Sequence, residues 1–282
     1  MKILGHRGIV DPKHTAYQNS THAFEIALKH CDGFETDVCL SADGHLFMLH
    51  ESTTTNNTSV YSAATHLNKE SAEILGDRRL DELTAAEISK LKLKNGAPIP
   101  TLNSVLALFT YHPEKTLNLE LKSFNVASPL ILQLYTAIKD GIIQEKQLII
   151  SSFNHPELLV VRKTFPNMAI GLLMEKPNSK RINVAPWHKE NTGFYQPLSE
   201  NYLQQPLFRE INPNWIIFPS FALNEHTVPM IKRHHPNIKI AVWVYSEIEA
   251  NPTQAARTLL ENEAEIPRID LAIIDTPHIL FP

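Results

Sequence analysis

The spacing of hydrophobic positions changes repeatedly along the chain. Short apolar runs alternate with longer stretches whose apolar residues recur three or four apart. The short runs predict strands over 2–5, 33–40, 46–50, 116–122, 147–151, 169–174, 215–218, 239–244 and 270–275. The longer stretches predict helices over 20–30, 102–111, 128–139, 156–164, 225–234 and 253–261. Asn19 or Ser20 can cap the first helix and Thr101 the second. Strand and helix in alternation are the signature of βα units around a parallel sheet. Two segments fit neither period. Segment 52–100 is polar at first and then carries short helical patterns. Segment 175–212, rich in Pro, Asn and charge, reads as a loop insertion that starts on the face where the 169–174 strand ends. Neither holds enough apolar residues for a core of its own, so a single domain over 1–282 is expected.

Nine strands are one too many for a ring of eight. Only Ser41-Ala42-Asp43-Gly44 and His45 separate the second strand from the third. Asp-Gly favours the centre of a two-residue hairpin turn, and parallel pairing would need a crossover of roughly a dozen residues. The third strand is therefore an antiparallel accessory. The expected architecture is a (β/α)8 TIM barrel with that accessory strand after the second barrel strand, which suits a chain of 282 residues. With Asp43 and Gly44 at the turn centre, Asp37 faces His50, Glu35 faces Ser52 and Cys39 faces Met48. Opposed side chains share a sheet face, so Glu35, Asp37 and His50 are expected together.

Chemistry-bearing residues cluster where strands end. Gly5-His6-Arg7-Gly8 offers a proton carrier and a fixed cation, with glycines that let backbone approach a ligand. In 34–38, strand period puts Glu35 and Asp37 on one side. In 116–122, Leu117, Leu119 and Leu121 alternate with Asn118, Glu120 and Lys122. On a half-exposed strand that polar face would meet water; in a barrel it points into the mouth. Converging carboxylates repel unless a cation sits between them, and carboxylate oxygens favour a hard ion such as Mg²⁺ or Ca²⁺. Trp243, at a strand end, and Phe153 are candidates for lining a ligand pocket, and Trp187, His188 and Tyr195 could reach it from the insertion. His14, His22, His30, His45, His66, His112, His155 and His188 have no ligand-like partners in the sequence and are expected at the surface or at helix caps.

Charge and composition narrow the partners. A net charge of -4 without any block of Lys or Arg excludes the electrostatic footprint of a nucleic-acid binder. No run approaches the ~18 apolar residues of a membrane span. The chain starts without a long apolar region, and Cys31 and Cys39 read as reduced thiols, so a cytoplasmic protein is expected. Only 9 glycines are present against 19 prolines, which leaves many turns to Pro, Asn and Asp.

These residues together resemble the glycerophosphodiester phosphodiesterase family. The resemblance rests on an ordered set. It runs from His6-Arg7-Gly8 through Asn19-Ser20, Ala23-Phe24, Glu35 to Val38 and Ser41 to Gly44, to His50. Pro100 to Leu102 and Glu120 to Lys122 follow. Ser152-Phe153, Val242-Trp243 and Asp275-Thr276-Pro277 continue it more thinly. The resemblance implies a barrel phosphodiesterase that uses one divalent cation, Mg²⁺ or Ca²⁺, on a small-molecule glycerophosphodiester. It implies Glu35, Asp37 and Glu120 as metal carboxylates and His6 and His50 as the acid/base pair. Arg7 and Lys122 would be phosphate contacts, and Trp243 would line the glycerol pocket. Two positions depart from the family pattern: Gln18 stands where Glu is usual, and Glu51 where Asp is usual. Two alternative readings remain. A related barrel phospholipase, like sphingomyelinase D or phosphatidylinositol phospholipase C, would favour an apolar rim that the sequence does not locate. A non-catalytic barrel binding a phosphorylated ligand would not need all three carboxylates and both histidines.

Overall fold

The computed structural model describes residues 1–10, 16–51, 62–176, 195–244 and 269–275. Nine strands form one sheet: β1 (Lys2–Gly5), β2 (Gly33–Leu40), β3 (Leu46–Met48), β4 (Thr116–Leu121), β5 (Leu148–Ser152), β6 (Ala169–Leu173), β7 (Trp215–Pro219), β8 (Lys239–Val244) and β9 (Leu271–Ile274). Eight are parallel. β1 pairs with β9 on one side and with β2 on the other, which closes the ring, while β3 lies antiparallel on β2 outside it. The expected barrel and its accessory strand are both present.

The alternation within each strand sorts side chains into two layers. Leu117, Leu119 and Leu121 of β4 point outward and pack under the helices. Among these helices are α1 (Thr21–His30), α4 (Leu102–Leu108), α5 (Ala127–Lys139) and α6 (His155–Thr164), whereas α2 (Lys69–Leu75) and α3 (Ala85–Ile88) bury Leu75 and Ile88 in a separate cluster. Ser20 caps α1 by accepting from Ala23 N, and Thr101 caps α4 by accepting from Ser104 N. Inside the barrel, Leu4, Ile149, Leu173, Trp215, Ile217, Ala241, Leu271 and Ile273 form a second apolar layer. The inner positions of β2 and β4 are instead polar, so the two halves of the barrel interior differ in kind. With few glycines available, Asn19, Asn125 and Asn212 take up left-handed backbone at φ 56°, 58° and 47°.

The β2–β3 hairpin differs from expectation by one residue. Val38 pairs with Met48, Cys39 with Phe47 and Leu40 with Leu46. Ser41 N donates to His45 O at 2.9 Å and Gly44 N to Ser41 O at 3.1 Å, with Gly44 at φ 84°. The loop thus has three residues, a turn followed by a left-handed Gly, and not the two-residue turn that Asp43-Gly44 suggests. A slip of one residue exchanges the two faces of a strand. Cys39, Phe47 and Leu49 therefore face a small core with Leu67, Leu75, Leu80, Ile88 and Leu93. That core gives segment 62–100 its anchor, borrowed from the hairpin. The strand ends at Met48, so His50 is not a ladder partner of Asp37.

Other expectations need correction too. The second half of segment 175–212 is not all loop: it carries α7 (Glu200–Leu203), capped by Ser199, and α8 (Pro206–Ile211), started by Pro206. Tyr202, Leu203, Phe208 and Ile211 are buried from them. A further helix, α9 (Thr227–His234), precedes β8. The helix expected over 253–261, and His14, Trp187 and His188, lie outside the described residues. Cys31 and Cys39 are free and buried. Among the described residues, no helix is long and apolar enough to cross a membrane.

His155 is not at the surface. It is fully buried, bonds Tyr202 Oη through Nδ1 and donates from Nε2 to Leu173 O at 3.0 Å. Desolvation pushes its pKa down to about 4. A His whose folded pKa is depressed stabilises fully above its unfolded value near 6.5, and that contribution fades as pH falls through about 4. The melting temperature of the parent should therefore exceed that of His155→Gln at pH 7, and the gap should narrow between pH 6.5 and 4 in a thermal melt series.

Candidate active site

Strand register assembles the site. Glu35 pairs with Asn118 and Asp37 with Glu120 across β2 and β4, so their inward side chains are neighbours. Gly5 pairs with Phe34 and with Ile274. His6 and Asp275, the residues that follow β1 and β9, therefore arrive in the layer of Glu35. His6, Arg7, Glu35, His50, Asn118, Glu120, Lys122 and Trp243 line one pocket at the C-terminal end of the barrel. Phe153, Leu173, Tyr195 and Ile273 form the rest of its wall.

The β1–α1 turn brings a cation into the mouth. Arg7 adopts φ 54°, which turns its N–H toward Glu35 Oε2 at 3.0 Å. Its guanidinium lies 3.1 Å from Asp37 Oδ2 and donates to Gln18 Oε1 at 2.6 Å. Gly8 follows at φ 82°, where a Cβ would meet the Ala23 backbone at 2.6 Å, so only glycine fits against α1. Asn19 Nδ2 donates to Asp37 Oδ2 at 2.9 Å and Thr36 Oγ1 donates to Asn19 Oδ1 at 2.7 Å. Asn19, the residue before the Ser20 cap, thus orients a carboxylate, and Gln18 orients the arginine.

Three carboxylates share this space. Ligand oxygens of Glu35, Asp37 and Glu120 all lie within 4.8 Å of one another, and all three residues are buried. Lys122 Nζ lies 2.5 Å from Glu120 Oε1 and 3.2 Å from Asp37 Oδ1. Desolvation opposes charge on Asp37, but Lys122 and Arg7 outweigh it and hold Asp37 far below the ordinary carboxylate range. Glu35 is compensated less. Burial and the Asp37 charge push it up to about 8, and Glu35 Oε1 has no hydrogen-bond partner among the described residues. Burial also lifts Glu120, against the pull of Lys122. Three carboxylates beside two fixed cations leave a negative, all-oxygen donor set, which fits a hard divalent ion.

The two histidines differ in surroundings. His6 Nδ1 lies 2.5 Å from Asp275 Oδ1, leaving Nε2 toward Glu35 at 3.8 Å. Burial pulls the pKa of His6 down, yet Asp275 outweighs that and raises it overall. His50 is buried near Arg7 and Lys122, and both burial and those cations drive it well below its ordinary value. His50 reaches the pocket because the chain leaves the sheet after Met48, not through the expected pairing with Asp37. Glu51 turns away: its carboxylate accepts from Leu80 N at 3.1 Å and ties segment 62–100 to the barrel. Pro100 O accepts from Met48 N at 2.8 Å and Thr101 bridges Phe47, so Pro100 to Leu102 anchors the accessory strand.

All eight expected site residues therefore come together, and Phe153 and Tyr195 join them. Phe153 packs on Trp243 at 5.7 Å and on Tyr195 at 4.7 Å between ring centroids. Two neighbours of the site have no role assigned from the sequence. Asp275 was visible only as part of a tripeptide, and its contact with His6 needs the β1–β9 closure. His66, expected at the surface, is buried with its ring centroid 5.6 Å from that of His50.

The glycerophosphoryl diester phosphodiesterase family model matches residues 6–257. A glycerophosphodiester phosphodiesterase of Caldanaerobacter subterraneus subsp. tengcongensis is 34% identical over 195 residues, covering 66% of this chain and 70% of that protein. Among solved structures, a glycerophosphodiester phosphodiesterase from Parabacteroides distasonis superposes with a TM-score of 0.66 at 18% identity, covering 98% of this chain and 93% of that one. One from Thermotoga maritima gives 0.59 at 22%, covering 99% and 95%. At these identities the solved structures speak for the fold.

Replacing a poorly compensated buried carboxylate relieves repulsion. Glu35→Gln should melt higher than the parent in a chelator. Added Ca²⁺ or Mg²⁺ should raise the melting temperature of the parent more than that of the variant. Equal metal-induced shifts would show that Glu35 is not a ligand.

Proposed function

This chain belongs to the glycerophosphoryl diester phosphodiesterase family and is a phosphoric diester hydrolase, and from that premise we propose that it hydrolyses a glycerophosphodiester to sn-glycerol 3-phosphate and an alcohol. The observation that carries this reading is the convergence of His6, Arg7, Glu35, His50, Glu120 and Lys122 in one pocket, with Asp37 buried behind them against Glu35 and Glu120. The unit to which we assign the activity is the whole chain, 1–282, as one domain. Its two unpaired buried thiols support a cytoplasmic location.

Cleavage breaks the P–O bond to the head group while oxygen of water, or a glycerol hydroxyl through a cyclic phosphate, bonds to phosphorus. The attacking oxygen must lose a proton and the leaving alkoxide must gain one. His6 and His50 are the pair we assign to those transfers. Asp275 supports the role of His6, because a carboxylate on Nδ1 fixes the ring with Nε2 toward the pocket. Arg7 and Lys122 are the side chains we assign to the phosphate oxygens, and Gln18 and Asp37 hold Arg7 in place. Glu35, Asp37 and Glu120 would hold Mg²⁺ or Ca²⁺, which when bound supplies charge neutralisation at the phosphate. Trp243, Phe153 and Tyr195 offer an apolar wall to the carbon skeleton of the substrate. Leu173, Trp243 and Ile273 belong to the inner layer of the barrel, which favours a small ligand over a lipid seated on an apolar rim.

Release of glycerol 3-phosphate from glycerophosphocholine, with and without added divalent ion, tests the activity. A panel of glycerophosphodiesters left intact would sink the reading. His6→Ala and His50→Ala should each lower turnover roughly 10²–10⁴-fold while melting close to the parent. Near-parent turnover in both would remove the histidine pair from the mechanism even if the substrate is right.

A further inference from the structure

His66 lies in segment 62–100, outside every motif that carries the family resemblance. It ends a short 3-10 helix, Ala63–His66, and its backbone is well held: Lys94 N donates to His66 O at 3.1 Å, and the next residue, Leu67, bridges Leu93. The side chain is buried at 7% exposure, and its ring meets that of His50 at 86°, an edge-to-face contact with centroids 5.6 Å apart. Tyr17 Oη lies 3.3 Å from His66 Nδ1. His66 Nε2 is buried with no hydrogen-bond partner among the described residues. His50 lines the pocket and His66 stands beside it outside that lining, so any influence on the reacting atoms passes through His50.

Why an imidazole here? An aliphatic side chain would fill the volume, as Leu67 and Leu75 do nearby. Only a flat ring with an acceptor can pack edge-to-face on His50 and at the same time take a hydrogen bond from Tyr17. The tyrosine hydroxyl is a donor at neutral pH, and neutral imidazole has one acceptor nitrogen. Desolvation, with Arg7 close by, drives the pKa of His66 down to about 4, so the ring stays neutral beside the cations of the mouth. Tyr17 precedes Gln18 and Asn19, which hold Arg7 and Asp37. Both the accessory segment and the β1–α1 turn therefore converge on one ring.

We propose that His66 is a positioning residue for His50: Tyr17 donates to His66 Nδ1 and fixes its ring, and that ring holds His50 at its angle to the phosphate site. The inference rests on the reading of His50 as an acid/base group. In this chain, a side chain from the accessory segment sets the catalytic geometry of the barrel.

Three variants test it: His66→Phe keeps a ring but loses the acceptor, His66→Ala loses both, and Tyr17→Phe removes only the donor. Imidazole ¹⁵N spectra of the metal-free parent should show His66 as the tautomer protonated on Nε2. His66→Phe and Tyr17→Phe should both shift the His50 ring signals. In steady-state kinetics, His66→Phe should lower kcat by ~10-fold, the scale of a small misplacement of a reacting group, with KM within about twofold. Tyr17→Phe should fall between it and the parent, and His66→Ala below both. If His66→Phe does not fold, Tyr17→Phe decides the question through the same two readouts. Parent kcat together with unmoved His50 signals overturns the proposal. So does a loss of activity that tracks melting temperature while His50 stays at its parent position, since that is packing alone. A parent inactive on every glycerophosphodiester would sink the assigned activity, yet the His50 signals would still decide whether His66 positions it.

Discussion

Electrostatic repulsion among Glu35, Asp37 and Glu120 is the constraint around which the mouth of this barrel is organised. Three buried carboxylates within 4.8 Å of one another would drive the strands apart in an apolar interior. They are tolerated because cations and donors surround them. Arg7 and Lys122 neutralise Asp37, Asn19 donates to it, and the Arg7 backbone donates to Glu35. Each of those partners demands its own support. The left-handed backbone of Arg7, the glycine beside it and the cap at the start of α1 all follow from the need to turn an arginine back onto β2.

The barrel interior is divided accordingly. β2 and β4 present carboxylates and amides, whereas β6 to β9 present aliphatic and aromatic side chains. Under the proposed function, a ligand with a phosphate at one end and carbon at the other would meet both surfaces at once. The apolar half also keeps water from competing for the charged half, so the charge pairs act in a low dielectric. Polar binding and apolar enclosure thus come from opposite arcs of one ring of strands.

The accessory hairpin serves this arrangement from outside the ring. β1 stops at Gly5, so the end of β2 has no barrel neighbour on that side, and β3 covers the edge. Through β3 the chain gains a small separate core with Leu67, Leu75 and Leu80, locked by the Glu51 carboxylate on Leu80 N. Glu51 therefore has a structural task, and the exchange of Gln for the usual Glu at position 18 leaves an acceptor on Arg7. Neither departure from the family pattern empties the site.

Much of this could be read from sequence because it depends on local period. The strict alternation of Leu117, Leu119 and Leu121 with Asn118, Glu120 and Lys122 assigns each side chain a face before any partner is known, and the same holds for Glu35 and Asp37. The short gap between 40 and 46 forces an antiparallel strand for a geometric reason alone. What tertiary structure decided is which faces meet and in what register. Asp43-Gly44 suits a two-residue turn, but burial of Cys39, Phe47 and Leu49 in the small core is consistent only with a three-residue loop, and that single residue changes how His50 enters the pocket. Asp275 meets His6 only because β9 closes the ring against β1, and His66 meets His50 only because a core borrowed from the hairpin folds segment 62–100 over the rim. Period acts between residues two to four apart, whereas these contacts join positions 16 and 269 residues apart. They arise only when a closed sheet brings distant strand ends to one rim.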